Sequence, residues 1–236
     1  GTNGKGSTVA MLESVYQAAG YKTGAYSSPH LLRYNERIHI NGEEATDEQI
    51  CQAFQRVDDA REDVSLTYFE FGTLAALDLF YQSQLDIVLL EVGLGGRLDA
   101  VNIIDSDVAV ITSIGLDHTD WLGDDRESIA REKAGIMRAG RPALCSELEI
   151  PQTIFSEAAR IGSELYCLGR DFRYEHTENH WSWFGPDDKS HVLPLPVLKG
   201  EHQLRNASAV MMVLSCLANS FPVSYEHVSK ALHTAH

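Results

Sequence analysis

The chain begins with Gly1-Thr2-Asn3-Gly4-Lys5-Gly6-Ser7-Thr8, and this stretch decides the fold that follows. Glycines let the backbone turn tightly and expose its N–H groups, a lysine lies inside the turn, and hydroxyl residues follow it. Apolar residues then recur at helical spacing, at Val9, Leu12, Val15, Tyr16 and Ala19. A phosphate at the N-terminus of that helix would meet several N–H donors, the positive end of the helix dipole and the Lys5 ammonium. The stretch therefore predicts a phosphate-binding loop.

The loop departs from the usual spacing in one place. The common form has a lysine followed directly by serine or threonine, whereas here Gly6 lies between Lys5 and Ser7. Such a loop normally follows a buried strand, and the chain starts at Gly1 without that strand and without an initiator methionine. We therefore expect the sequence to be a piece of a longer protein, cut at its N-terminus at least.

The composition bounds the class of protein. A chain of 236 residues has room for one large α/β domain, and 44% hydrophobic and 22% charged residues are ordinary values for a globular protein. The net charge of −15 argues against a general nucleic-acid or anionic membrane surface. No apolar run reaches transmembrane length, and we expect no signal peptide. We expect a cytoplasmic protein with no nucleic-acid or membrane partner.

The four cysteines predict no disulfide and no metal site. They are widely spaced, none forms a C-x-x-C pair, and each lies among apolar residues. This pattern favours buried free thiols in a reducing compartment. The residues are Cys51, Cys145, Cys167 and Cys216.

Strand and helix patterns alternate along the chain. Near-continuous apolar runs, typical of parallel strands covered on both faces, span residues 86–92, 107–114 and 141–146. Thr46 with Gln49 predicts a capping box at the start of one helix. Shorter strands are expected at 22–27 and 165–168, and further helices at 67–84, 125–138, 151–164, 203–221 and from 225 onward. Residues 170–196, rich in tryptophan, polar residues and proline, predict a small β-excursion. The fold class predicted is α/β, a P-loop-type, mostly parallel sheet between helical layers.

Polar residues collect where the predicted strands end. Glu91 ends one apolar run, Asp117-His118 follows the next, and Ser28 and His30 follow the strand at 22–27. Ligands of open parallel sheets lie beyond the carboxyl ends of the strands, so these side chains are expected near the phosphate loop. A carboxylate inside an apolar run is costly unless it is paired or binds metal. Glu91 is therefore a predicted Mg²⁺ ligand, with a salt bridge as the alternative; a lone histidine such as His118 is more often structural.

Two further patterns each allow more than one interpretation. Gly93-Leu94-Gly95-Gly96 resembles a dinucleotide fingerprint, but Leu98 occupies its third small position and no acidic residue follows at the right distance, which disfavours a Rossmann dehydrogenase. Lys133 lies on the predicted helix 125–138, where a lysine usually faces solvent. Beside a metal–phosphate site, an unprotonated lysine could instead react with CO₂ and become an anionic carbamate.

Five motifs occur in order along the chain: Gly1–Ser7, Tyr26–Leu31, Leu90–Ala100, Leu116–Gly123 and Arg131–Ile136. Together they resemble the bifunctional dihydrofolate synthase/folylpolyglutamate synthases of the Mur ligase superfamily. The resemblance implies that residues 1–236 form the ATP-binding central domain of such an enzyme, apparently lacking its first strand and its C-terminal domain. It also implies a monomer that works together with that C-terminal domain.

The same resemblance implies roles for individual residues. Those assigned to the nucleotide are Thr2, Asn3, Gly4, Lys5, Gly6, Ser7 and Asn206. Two Mg²⁺ ions are implied, one bound by Ser28 and Glu91 and a second by His118, with a carbamate on Lys133 helping to hold the second. Lys5, Lys133 and His118 are the implied catalytic residues. The implied pteroate-binding residues are Thr67, Tyr68, Phe69, Glu70, Leu98, Asp99 and Ala100.

Two of these substrate residues have specific expectations. Phe69 could stack on the pterin and Asp99 could hydrogen-bond its nitrogens. Core packing on a helix is the alternative for Phe69.

The activity implied is ATP-dependent, ADP-forming amide synthesis. L-Glutamate would be joined to dihydropteroate, or to the γ-carboxylate of folates, through an acyl phosphate. Two alternatives stay open: another Mur-type ligase acting on a muramyl peptide or a cyanophycin-like substrate, and a nucleotide-binding module that is inactive alone. The segment Leu66–Glu70 and the Gly-Lys-Gly-Ser variant of the loop favour the folate reaction.

Overall fold

A computed structural model describes residues 4–115, 125–186, 190–197 and 200–232. The helices are α1 (Lys5–Ala18), α2 (Asp47–Arg61), α3 (Tyr68–Gln82), α4 (Arg126–Ala134), α5 (Gln152–Ile161), α6 (Glu201–Cys216) and α7 (Tyr225–Leu232). The strands are β1 (Thr23–Tyr26), β2 (Ile38–Ile40), β3 (Glu43–Glu44), β4 (Ile87–Leu90), β5 (Ala109–Ile111), β6 (Pro142–Cys145), β7 (Glu164–Cys167), β8 (Arg173–His176), β9 (His180–Phe184) and β10 (Ser190–Pro194). Short 3₁₀ turns cover Tyr34–Arg37 and Ala100–Ile103. The predicted α/β fold is confirmed.

The strands form three sheets. In the first, with order β3-β2-β1-β4, β1 and β4 are parallel while β2 and β3 return antiparallel. The turn between β2 and β3 is Asn41-Gly42, and both residues have positive φ, as a two-residue hairpin turn requires. The second sheet, β5-β6-β7, is parallel throughout. The β-excursion predicted at 170–196 is the third, an antiparallel sheet with order β10-β9-β8.

A cavity of about 710 Å³ lies between the first two sheets. Both β4 and β5 line it along their whole length, together with one side of α1. Val88, in the middle of β4, is 43% exposed. The expectation that this apolar run is covered on both faces is therefore wrong for Val88 in the described structure, because one side of β4 borders the cavity.

Helix α1 is held from several sides, which fixes the loop at its N-terminus. Its residues Met11, Leu12, Val15 and Tyr16 are buried in a core shared with α6, α7 and the tryptophans of β9. A second core joins α4 and α5 to the sheet β5-β6-β7, and a third joins α2 and α3 to β1. The site at the start of α1 is thus supported by packed secondary structure.

The capping box predicted at the start of α2 is confirmed. Thr46 and Gln49 form the predicted capping box of α2, with Thr46 N donating to Gln49 Oε1 at 2.8 Å and Gln49 N to Thr46 Oγ1 at 3.2 Å. Among the helices of the described ranges, none is long and apolar enough to span a bilayer.

One of the cysteine predictions is wrong. All four thiols are free; Cys145 and Cys167 are buried and Cys216 is partly buried, but Cys51 is exposed. The face of α2 that packs on the core carries Ile50, Ala53 and Val57. Cys51 is one residue beyond Ile50, so the helical rotation of about 100° per residue turns it to solvent.

Candidate nucleotide and substrate site

The predicted phosphate loop leads into α1 as expected. Gly4 is the residue preceding the helix and has a left-handed backbone, with φ of 74°. Thr8 closes the first turn, since its N–H and its hydroxyl both donate to the Gly4 carbonyl, at 3.0 and 2.9 Å. Lys5, Gly6 and Ser7 form that first turn, where backbone N–H groups lack partners within the helix. The geometry suits an anion; Thr2 and Asn3 lie outside the described residues.

Asn206, which is distant in sequence, packs directly on the loop. A Cβ at Gly4 would lie 2.5 Å from Asn206 Oδ1, so only glycine fits against this side chain. Asn206 is 2% exposed and lies on α6. The residue assigned to the nucleotide by resemblance is therefore in contact with the phosphate loop.

Glu91 directly follows β4 and faces the same loop. It is 8% exposed, its Oε2 accepts the Ser28 N–H at 3.3 Å, and a Cβ at Gly6 would lie 3.9 Å from that oxygen. Burial raises the pKa of the Glu91 carboxyl, against smaller lowering contributions from the Ser28 hydrogen bond and from the Lys5 charge. No Lys, Arg or His nitrogen of the described chain lies within 4 Å of this carboxylate. The salt-bridge alternative is thus unsupported there.

A buried carboxylate beside a phosphate loop fits a hard divalent cation. Mg²⁺ prefers oxygen ligands and is usually held by one or two carboxylates together with phosphates and waters. Ser28 contacts Glu91 through its backbone N–H. His118 lies outside the described residues, and within those residues no group of three His, Cys, Asp or Glu side chains could hold a metal ion.

Lys133 lies in the last turn of α4 and lines the same cavity as Lys5 and Glu91. The loop after β4 passes close to it, because a Cβ at Gly96 would lie 3.3 Å from Lys133 Cα. Three residues that are separated by up to 128 positions in the sequence therefore border one space. The sequence placed Lys133 on a helix, and the tertiary structure turns that helix toward the cavity.

The loop after β4 is fastened to the end of α4. Arg97 N donates to Glu132 O at 2.8 Å, and Arg97 Nε donates to Glu132 Oε1 at 3.1 Å. Asn102 Nδ2 donates to the carbonyls of Arg97 and Gly135, both at 3.1 Å. The approach is so close that a Cβ at Gly135 would stand 2.3 Å from Arg97 Cβ. The segment Leu98–Ala100 is thereby held at a fixed distance from Lys133.

Phe69 and Asp99 come together on either side of Gly93. A Cβ at Gly93 would lie 3.1 Å from Phe69 Cζ and 3.4 Å from Asp99 Oδ2. The Asp99 carboxylate accepts the N–H groups of Leu94 and Val101, at 3.0 and 3.1 Å, so it also orders its own loop. Phe69 stacks on Tyr26 with ring centroids 6.1 Å apart and is half-buried, which combines core packing with access to the site edge.

The other residues of the implied substrate segments differ in character. Thr67 and Glu70 form the capping box of α3, with Thr67 N donating to Glu70 Oε2 at 2.7 Å and Glu70 N to Thr67 Oγ1 at 3.3 Å. Their side chains are thus engaged with each other. Tyr68 and Leu98 are 66% and 79% exposed, and Ala100 begins a 3₁₀ turn. The side chains of Tyr68 and Leu98 are thus open to a ligand.

Sequence reasoning gave no role to Arg37, although a charged residue among apolar neighbours was visible there. Its guanidinium is buried and lies over the rings of Tyr34 and Tyr68, 5.6 and 5.8 Å from their centroids. Arg37 Nε donates to His30 Nδ1 at 2.7 Å, so Nδ1 is the acceptor nitrogen of that ring. This pair braces the loop that carries Ser28. Burial raises the pKa of the neighbouring Tyr26 and Tyr34 hydroxyls.

The sequence that builds this site matches a known family. The profile of the Mur ligase middle domain matches residues 1–214 of the chain. The chain belongs to the Mur ligase family. The resemblance drawn from the five motifs is confirmed at this level.

Individual relatives of this Mur ligase chain are similar over most of its length. It is 55% identical over 198 residues to the dihydrofolate synthase/folylpolyglutamate synthase of Escherichia coli strain K12, covering 84% of this chain and 47% of that protein. E. coli FolC in complex with DHPP and ADP superposes with a TM-score of 0.92 at 48% identity, over 99% of this chain and 55% of that one. A bifunctional folylpolyglutamate synthase/dihydrofolate synthase with Mn, AMPPNP and L-glutamate bound gives 0.92 at 49% identity, over 99% and 56%. The chain spans about half the length of the curated relatives it matches.

Proposed function

We propose that residues 1–236 are the ATP-binding central part of an ADP-forming ligase that joins L-glutamate to dihydropteroate or to the γ-carboxylate of folates. The observation that carries the proposal is that Lys5, Glu91 and Lys133 all line one cavity, which also borders α1, the helix that follows the phosphate loop. Relatives crystallised with ADP, AMPPNP, DHPP and L-glutamate support the choice of substrates. The rest of the enzyme, including a C-terminal domain, is part of the same proposal.

In the first step an oxygen of the substrate carboxylate attacks the γ-phosphorus of ATP, and the bond from phosphorus to the ADP oxygen breaks. Negative charge is spread over the phosphoryl oxygens during this transfer. Lys5 and the free N–H groups at the start of α1 face that charge and stabilise it. The products are an acyl phosphate and ADP.

In the second step the glutamate amine attacks the acyl carbon. The carbon–oxygen bond to phosphate breaks, the amine loses a proton, and inorganic phosphate leaves. Charge again develops on oxygen atoms beside the phosphate loop, so the same donors act in both steps. Asp99 and Phe69, which meet across Gly93, would hold the pterin end of the substrate.

Divalent cations belong to the proposal as partners of the phosphates. Glu91, with its buried oxygen beside the loop, is the residue that would hold one Mg²⁺, with Ser28 adjacent. A bound Mg²⁺ supplies charge neutralisation at the phosphate oxygens. A second Mg²⁺ at His118 and a carbamate on Lys133 complete the proposed site. We also propose that the protein acts as a monomer in the cytoplasm.

Replacement of the lysine tests the assignment. A chimera would be made in which residues 1–236 replace the matching half of the E. coli relative. Its ADP release would be measured with and without dihydropteroate and glutamate. The change Lys5→Ala should reduce that ADP release by roughly 100-fold or more, because removing one preorganised donor to a developing oxyanion costs about that factor. The change Lys22→Ala, at an exposed lysine before β1, is the control and should leave the rate unchanged.

Two results would contradict the proposal. ADP release in the Lys5→Ala chimera at the Lys22→Ala rate would remove the phosphate loop from catalysis. ADP release that depends on a muramyl or cyanophycin-like substrate, and not on dihydropteroate or a folate, would assign another Mur-type reaction to the chain.

A further inference from the structure

Gln203 links helix α6 to the phosphate loop through two hydrogen bonds. Its Nε2 donates to Ser7 Oγ at 3.2 Å, and its Oε1 accepts from Asn206 Nδ2 at 3.0 Å. Gln203 is 8% exposed and lies 196 positions after Ser7 in the chain. The carboxamide therefore uses its donor on Ser7 and its acceptor on Asn206, two residues that the resemblance assigns to the nucleotide.

Helix α6 is a firm base for this contact. Gln203 and Asn206 are three positions apart, so they share one face of the helix. The neighbouring Leu204, Ala207 and Val210 are buried in the main core. The core packing of α6 thus holds Gln203 and Asn206 against the loop without a bound ligand.

The direction of the two bonds has a chemical consequence. Because Ser7 Oγ accepts a hydrogen from Gln203, its own hydroxyl hydrogen is left to point to another acceptor. Because Asn206 gives an Nδ2 hydrogen to Gln203, its Oδ1 faces Gly4, the position where a Cβ would come within 2.5 Å. Ser7 stands in the first turn of α1, where an anion is favoured.

We infer that Gln203 is a positioning residue for the nucleotide: it sets the Ser7 hydroxyl as a donor to a phosphate oxygen and fixes the Asn206 carboxamide against the loop. This inference rests on the proposed nucleotide site. It adds a residue that touches no ligand itself and acts through Ser7 and Asn206. A hydrogen bond to a charged group contributes more than a neutral one, so the orientation of Ser7 has a measurable effect on affinity.

The test is a double-mutant cycle on residues 1–236, with the dissociation constant of ADP·Mg²⁺ measured by titration calorimetry. The variants are Ser7→Ala, Gln203→Met and the two combined. Methionine keeps the approximate shape of glutamine and removes both hydrogen bonds. Each single change should weaken binding about 10-fold or more, and the double variant should be no weaker than the worse single one, because both remove the same donor.

The control is Gln17→Met. Gln17 also lies on α1 and donates one side-chain hydrogen bond, from Nε2 to Thr23 Oγ1 at 2.9 Å, away from the loop. The Gln17→Met variant should have a lower melting temperature and an unchanged dissociation constant for ADP·Mg²⁺. If Gln203 had a purely structural role, Gln203→Met would likewise lower the melting temperature and leave the dissociation constant unchanged.

The outcomes separate the inference from the function it rests on. Failure of the unmodified chain to bind ADP·Mg²⁺ overturns the proposed nucleotide site and the inference with it. Binding by the unmodified chain, with unchanged affinity in Gln203→Met or with losses that add in the double variant, overturns the inference alone.

Discussion

A methyl group added at Gly135 should separate the loop after β4 from the helix that carries Lys133. Gly135 has φ of −62°, so alanine meets no backbone strain there, and the effect of Gly135→Ala is steric alone. Its Cβ would lie 2.3 Å from Arg97 Cβ and 2.6 Å from Arg97 Cα. Arg97 cannot relieve this by a rotamer change, because both atoms precede the flexible part of its side chain.

The size of the effect follows from these distances. The loop must retreat by about 1 Å to restore ordinary van der Waals contact, and overpacking of this kind costs about 1–3 kcal/mol. For a chain of this length each kcal/mol lowers the melting temperature by about 2–4 °C. The hydrogen bonds from Asn102 Nδ2 to the carbonyls of Arg97 and Gly135 would lengthen together. If Leu98–Ala100 holds substrate, a displacement of about 1 Å should reduce the ligation rate by roughly 100-fold.

Two assays are needed, thermal unfolding of residues 1–236 and ADP release in the E. coli chimera. Gly140→Ala is the matched control, because no atom lies within 4 Å of its Cβ while its φ of 65° is unfavourable for alanine. It should lower stability and leave the ligation rate unchanged. An unchanged melting temperature in Gly135→Ala would refute the packing argument, and a lowered one with a normal rate would refute the role given to the loop.

Three more outcomes are expected. Glu91→Gln should raise the melting temperature of the metal-free chain at neutral pH. Burial raises the pKa of the Glu91 carboxyl, so its ionisation destabilises the folded state as pH rises. A melting temperature of Glu91→Gln below that of the unmodified chain would contradict this prediction. The hydrogen bond to Glu13 raises the pKa of His39; burial opposes this rise, and the charges of Glu13, Glu44 and Glu43 add to it. Protonated His39 therefore stabilises the folded state. This stabilisation is fully present below the unfolded pKa of about 6.5 and is lost as pH increases through the folded pKa. Melting curves of His39→Gln and the unmodified chain should therefore converge toward high pH, and parallel curves from acid to alkaline pH would exclude the effect. Thr67→Ala and Thr46→Ala should each cost about 1 kcal/mol in chemical denaturation, since each removes one capping box; a loss confined to one of them would show that the two boxes differ.

Part of the fold could be predicted from the sequence because it depends on interactions between residues that are close together in the chain. The glycines and lysine before a 3.6-residue apolar pattern give a phosphate loop and helix wherever they occur, and the capping box at Thr46 needs only four residues. The Asn41-Gly42 turn likewise carries its own conformational preference. The placement of Glu91 at a strand end followed from a carboxylate at the end of an apolar run.

Other features depend on which side of an element meets a neighbour. Periodicity did not show that Val88 borders a cavity or that Cys51 is turned to solvent, since both lie in segments with apolar neighbours. Thr67 and Glu70 were assigned to substrate by resemblance, although the Thr-x-x-Glu spacing is also that of a capping box. That local explanation became plain once their mutual hydrogen bonds were known.

By itself, then, the sequence determined the chemistry of the phosphate loop, because tight turns, free N–H groups and a lysine are properties of adjacent residues. Only the tertiary structure decided what surrounds that loop. Asn206 against Gly4, Gln203 on Ser7 and Arg97 against Gly135 are pairs whose members are far apart in the chain. Their contacts follow from the packing of α6 and α4 on their cores, and no local pattern encodes the distance between two separately packed elements.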